Sequence, residues 1–155
     1  MKTFKTFAFG VLLTACYLYA PAQNAGVPLN EPNYNKPQIF SDLPQKMTLR
    51  ITELEGLFNL ASGASVSLMV TDQFRLQGAV VSKSSDTDAS LKSVVVRSTN
   101  RIGCVFTFTK LTDSNGNISY IGRMISAQHG DTFEIIKENG QYVLSKTGFY
   151  DLLNE

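Results

Sequence analysis

The sequence predicts a mainly β protein: an antiparallel barrel or sandwich of about seven or eight strands with one short N-terminal helix. Three observations carry this. From Lys46 onward, segments of alternating apolar and polar residues follow one another at close spacing. Two Asn-Gly dipeptides, Asn115-Gly116 and Asn139-Gly140, stand between such segments, and both residues of such a turn tolerate positive φ. Only one stretch, residues 53–60, carries apolar residues at helical spacing. Ten Phe and six Tyr with no Trp suit a β-rich core and do not suit the disordered class.

The elements follow in order. Residues 46–51 place Met47, Leu49 and Ile51 on one side and read as a strand. At Thr52 the period changes. Thr52 and Glu55 have capping-box spacing, and Leu54, Leu57 and Phe58 follow at helical intervals, with Gly63 as a stop and Gly56 as a weak point. Residues 65–71 line up Val66, Leu68 and Val70, and residues 74–82 line up Phe74, Leu76 and Val80. A polar break at 83–90 precedes 91–98, which contains the stiff β-branched run Val94-Val95-Val96. Residues 104–111 and 118–126 are strands about Asn115-Gly116; residues 132–137 and 141–146 are strands about Asn139-Gly140. A two-residue turn at Asn139-Gly140 sets Ile135 opposite Leu144 and Lys137 opposite Tyr142, which keeps apolar side chains on one face. The same turn at Asn115-Gly116 sets Phe106 opposite Ile125 but Phe108 opposite Arg123, so a longer loop is the alternative there. The apolar tail at 149–153 is expected to dock on the fold. No internal repeat is present.

The N-terminus has the order of a secretory signal: the basic head Met1-Lys2-Thr3-Phe4-Lys5, an uncharged apolar run from Phe7 to Tyr19, then Ala20-Pro21-Ala22. The run is shorter than the roughly 20 residues that span a bilayer, and no later stretch is longer, so no transmembrane span is expected. Within the signal, Leu13-Thr14-Ala15-Cys16 resembles the lipobox of bacterial lipoproteins, which makes lipidation of Cys16 the alternative to cleavage after Ala22. Against it, Tyr17-Leu18-Tyr19-Ala20 continues the apolar run where a lipoprotein turns polar. The expected organisation is a signal peptide at 1–22, a Pro/Asn-rich linker at 23–37 and a single β-rich domain at 38–155. The expected location is periplasmic or extracellular in a bacterium, or lipid-anchored through Cys16. Cys104 is left without an intramolecular partner, and its place beside Phe106 and Phe108 on one strand face predicts a buried, inert thiol.

Composition excludes several function classes. The whole chain carries 14 basic and 13 acidic side chains. Loss of residues 1–22 removes Lys2 and Lys5, which leaves 12 against 13, a charge of −1, on 133 residues. No Lys/Arg cluster of the kind that neutralises phosphates is present, so nucleic acid is not an expected partner. The lone histidine, His129, sits in Gln128-His129-Gly130-Asp131, which reads as a turn. One His and one mature Cys do not make a tetrahedral zinc site. Asp113-Ser114-Asn115-Gly116-Asn117 starts like a calcium loop, but the positions that need Gly and Glu are Ile118 and Met124. Asn117-Ile118-Ser119 is formally a glycosylation acceptor, with no expected use in a bacterium. No catalytic set, metal site or cofactor is assigned. The densest polar cluster, Arg97 to Arg101, makes Arg97, Asn100 and Arg101 the candidate ligand-binding residues, for an anion at a sheet edge.

Two function classes remain. The first is a non-enzymatic β-domain that binds a protein or a cell-envelope component. The segments Gly130-Asp131-Thr132-Phe133-Glu134-Ile135 and Gly140-Gln141-Tyr142-Val143-Leu144 resemble prodomains of secreted bacterial metallopeptidases over the last third of the chain. That resemblance implies peptidase inhibition or chaperoning as a variant of the first class. The second class is a small secreted hydrolase using Cys104 or a carboxylate pair.

Overall fold

The computed structural model describes residues 33, 35–84 and 87–151. The signal, its cleavage point and Cys16 lie outside them. Eight antiparallel strands form one curled half-barrel sheet: β1 (Lys46–Thr48), β2 (Ser65–Met69), β3 (Arg75–Lys83), β4 (Leu91–Ser98), β5 (Val105–Thr112), β6 (Ile118–Ile125), β7 (Asp131–Glu138) and β8 (Gln141–Gly148). From β2 to β8 the sheet is a simple meander, and β1 adds outside β8. The sheet is a half-barrel and not a sandwich, since every strand among the described residues belongs to it. At one end the edges meet: the Arg50 N–H donates to the Val70 carbonyl at 2.9 Å, and the Leu49 N–H donates to the Tyr142 carbonyl at 2.9 Å.

The helix differs from its expected form. The strand ends at Thr48, and Ile51 opens the helix α1 (Ile51–Glu55), which tightens into a 3-10 turn over Gly56–Asn59. The capping box does not form: Arg50 is the N-cap and no side chain bonds the helix start. Glu55 reaches the sheet instead. Leu54 and Leu57 are fully buried under the curl, and Phe58 stacks on Phe108 at 5.2 Å. The helix is thus held by its apolar stripe, since five residues form no stable helix alone.

The hairpins follow the turn chemistry. At Asn139-Gly140, Ile135 pairs with Leu144 and Lys137 with Tyr142, as the two-residue turn requires, and Asn139 and Gly140 have φ of 49° and 81°. At Asn115-Gly116 the loop is longer: Thr112 pairs with Ile118, so five residues turn the chain and Phe106 meets Met124. The Asp113 carboxylate holds that loop by accepting from the N–H groups of Asn115 and Asn117, at 2.8 Å each. This fixes the register that the shorter loop confused.

Residues 36–45 form a strap against the start of β7 and the end of β8. Phe40 is fully buried against Phe133, with ring centroids 4.9 Å apart. Burial of such a ring contributes about 1.5–3 kcal/mol. The strap has no partner strand for most of its length, and side chains satisfy its main chain. The buried Asp131 carboxylate accepts from the N–H groups of Ile39 (2.6 Å) and Phe40 (2.8 Å). The Lys146 ammonium donates to the carbonyls of Phe40 (2.6 Å) and Leu43 (2.7 Å). The tail follows the same route: the Phe149 N–H donates to the Gly130 carbonyl at 2.8 Å. Residues 152–153 of the expected docking tail lie outside the described residues.

Two strand glycines permit the curl. A Cβ on Gly78 would lie 2.2 Å from the Arg97 carbonyl oxygen, and one on Gly122 would lie 2.2 Å from the Thr107 carbonyl oxygen. A bulge at Val81, between the pairs Val80–Val96 and Ser82–Val95, adds local bend to β3. By contrast, nothing lies within 4 Å of a Cβ on Gly56, whose φ of −57° is helical. Gly56→Ala is therefore expected to stabilise the protein by about 0.5–1 kcal/mol. Gly78→Ala and Gly122→Ala are each expected to cost more than about 2 kcal/mol, because backbone must move. Urea denaturation of the three variants checks the ordering, and a tolerated Gly122→Ala would refute the close-approach account.

Candidate functional site

The site begins with a mismatch in strand pairing. β5 and β6 share eight register pairs, and so do β7 and β8. Between them, β6 and β7 share two, Arg123–Glu134 and Met124–Phe133. From Gly122 back to Ile118, β6 leaves its neighbour. Gly122 marks the departure: its missing side chain accommodates the Thr107 carbonyl, and a Cβ there would also touch Ile135 Cδ1 at 3.0 Å. On the outer face this split opens a groove of about 430 Å³. Its walls are the aliphatic Ile121, Ile125 and Ile135 and the hydroxyl-bearing Thr107 and Thr109. Arg123 and Glu134 line it as an ion pair at 3.1 Å. Ile121 is 51 % exposed, so this apolar side chain stands in solvent.

The inner face of the split is closed by aromatics. With β7 absent, the Tyr120 N–H donates to the Tyr142 hydroxyl at 3.2 Å. The two rings meet edge to face at 5.2 Å, and Tyr120 stacks on Phe108 at 5.5 Å. The Tyr120 hydroxyl donates to Glu55 Oε1 at 2.8 Å, and Lys110 Nζ donates to the same oxygen at 2.6 Å. These bonds tie the end of α1 to β5 and β6. The Lys110 bond first, then the Tyr120 bond, hold the Glu55 carboxyl below its ordinary range. Burial first, then the bond and charge of Glu55, push the Tyr120 phenol up to about 12. At neutral pH Glu55 is ionised with both donors engaged on one oxygen, and Tyr120 keeps its proton. The cluster is a clasp of fixed protonation, not a proton relay.

The residues singled out in the sequence have other surroundings. Asn100 and Arg101 share a turn but point to different elements. The Asn100 amide donates to the Arg75 carbonyl at 2.8 Å, and its oxygen accepts from the Gln77 N–H at 3.1 Å. Arg101 forms a bidentate pair with Asp42 at 2.9 and 2.6 Å and donates to the Ile39 carbonyl at 2.8 Å. Arg97 is exposed on the outer face, opposite Val105. Arg123 lies two strands away in the groove. Cys104 is fully buried, and burial pushes its thiol up to about 12, far from a nucleophilic thiolate. His129 Nδ1 lies 2.7 Å from the Ser126 hydroxyl, but Ser126 is 1 % exposed and the pair closes a turn. Among the described residues no group of three or more His, Cys, Asp or Glu side chains is placed to hold a metal ion.

The groove and its clasp were not identified from the sequence. The one available signal was Gly122, an isolated glycine in a strand pattern, which marks a bend or a close approach. Compared with protein-family models, with curated proteins and with solved structures, the chain finds no match.

Two outcomes follow. Iodoacetamide is expected to label Cys104 only after unfolding; rapid labelling of the native protein would overturn its buried placement. Because the folded Glu55 carboxyl is depressed below its ordinary 4.5, its contribution is fully present above that pH and is lost as pH falls through the lower folded value. Glu55→Gln is therefore expected to lower the urea midpoint at pH 7 and to flatten its decline between pH 5 and 3, at roughly constant m-value. Parallel pH profiles for the two proteins would show that the clasp contributes nothing.

Proposed function

We propose that the mature chain is an exported bacterial, non-enzymatic β-domain that binds a protein or cell-envelope component in the groove at the split between β6 and β7. The observation that carries this reading is the two-pair register of β6 with β7, which opens an outer groove between strands that each make eight pairs on their other side. At about 430 Å³ the groove has the size of ligand pockets, roughly 300–1,000 Å³, and it has their mixture of aliphatic walls and few polar groups. The basic, apolar, A-x-A order of the N-terminus supports export. The non-enzymatic reading is supported by how the reactive side chains are used. Cys104 is buried with a raised pKa, Ser126 is sealed, and Glu55 and Asp131 bind structural donors.

A photo-crosslinking amino acid at Ile121 tests the proposal in cells. Crosslinks to one discrete species are expected from position 121. None are expected from the exposed Ser67 on β2, at the far side of the sheet. Equal crosslinking from both positions, or none from 121, would remove the groove as the binding surface.

A further inference from the structure

At the opposite end of β6 and β7 from the split, three segments without strand partners meet: the start of the strap, the loop between β6 and β7, and the tail. The Lys36 ammonium lies 4.5 Å from the centroid of the Phe149 ring and 5.1 Å from that of Tyr150. The rings stand at 84° to one another, 5.2 Å apart, and so present two faces to one point. Lys36 Nζ also donates to the Ala127 carbonyl at 2.8 Å. Two ring faces supply quadrupole attraction for a cation, and the carbonyl accepts an N–H. Together these are the components of an ammonium-recognition site.

We propose that the corner formed by Phe149, Tyr150 and the Ala127 carbonyl is an ammonium-binding site that Lys36 occupies as an internal ligand, and that a primary alkylammonium takes its place when Lys36 leaves. The carbonyl selects for the ligand class. It requires an N–H donor, so a lysine side chain or an amino headgroup fits and a quaternary ammonium does not. The corner is assembled without the Lys36 head group. The Gly130 N–H donates to the Pro37 carbonyl at 2.9 Å and the Phe149 N–H donates to the Gly130 carbonyl at 2.8 Å, while Asp131 holds Ile39 and Phe40. Removing the ammonium therefore empties the corner while the bonds that place Phe149 and the strap remain. Lys36 then acts as a self-contained competitor: an outside amine must displace it, and doing so frees the start of the strap. The site lies apart from the groove and does not rest on the function proposed for it.

Chemical rescue tests this in the exported protein. Lys36→Ala is expected to lower Tm. Butylammonium chloride at tens of millimolar is expected to raise the Tm of that variant by about 3 °C over an equal concentration of sodium chloride. Wild type, with its corner filled, is expected to show no such rise. The double variant Lys36→Ala/Phe149→Leu, which keeps apolar bulk but loses one ring, is expected to lose the rescue. Tetramethylammonium distinguishes the ligand classes, since its inability to donate predicts no rise. An equal rise in wild type or in the double variant would overturn the proposal, and so would rescue by tetramethylammonium. An alanine variant that shows no shift, or that stays unfolded with butylammonium present, would overturn it too.

Discussion

Most of what is distinctive in this protein gathers where β6 approaches β5 closely at Gly122 and parts from β7. A single sheet has to curl to enclose an apolar face, and curling brings neighbouring backbones together at particular positions. At Gly122 the Thr107 carbonyl occupies the space of a side chain. β6 follows β5 along its whole length and leaves β7 after two pairs. The departure frees the Tyr120 N–H, a part-buried donor that then needs another acceptor. The Tyr142 hydroxyl supplies that acceptor, and the Tyr120 ring then lies against Phe108 with its own hydroxyl within reach of Glu55. The outer groove, the inner aromatic closure and the anchoring of the helix thus meet at one stretch of β6.

The region at the start of β7 and the end of β8 is governed by a different constraint. The strap carries Phe40 into the core but runs where no strand can pair with it. Its N–H and C=O groups are satisfied by charged side chains: Asp131 takes two N–H groups, Lys146 gives to two carbonyls, and Arg101 gives to one while pairing with Asp42. A buried carboxylate is costly unless hydrogen-bonded, and two charge-assisted bonds offset that cost for Asp131. This arrangement also explains why an arginine that reads as an anion ligand in the sequence serves as a brace. The titratable groups here are committed to main chain, which leaves little free reactivity.

The legible parts of the fold were those decided locally. Asn139-Gly140 fixed its own register because its two residues adopt positive φ and every pair across it kept one face. The run Val94-Val95-Val96 made β4 recognisable to its exact ends, Leu91 and Ser98. At Asn115-Gly116 the poor match of Phe108 with Arg123 points to the longer loop, and the Asp113 side chain, which holds a five-residue turn, is what favours it over the tight one. The Thr52–Glu55 spacing was misleading for a related reason: two donors on the sheet attract Glu55 more strongly than one N–H at the helix start. The groove was illegible because it is a property of a pair of strands. Nothing within 118–125 or 131–138 alone says that the two part after Met124–Phe133 and Arg123–Glu134.

A one-sheet fold has a further consequence for where binding can occur. Along β5 the inner positions are Phe106 and Phe108, and the outer ones are Val105, Thr107, Thr109 and Leu111. Aromatic side chains on one face with β-branched and aliphatic ones on the other come close to the pattern of a strand covered on both sides. Here the helix covers only the inner face. The outer face carries sparse charge, with Arg123 paired to Glu134 and Lys46 to Glu138, and hydroxyls such as the Ser93–Thr109 pair at 2.8 Å. On such a surface a flat patch offers a partner little more than a convex sheet. The split differs because it holds a groove: Ile121 and Ile125 of β6 and Ile135 of β7 line one space there. Apolar area is removed from water more completely in a groove than on a convex face, which is why the binding proposed for this protein is placed at the split and not elsewhere on the sheet.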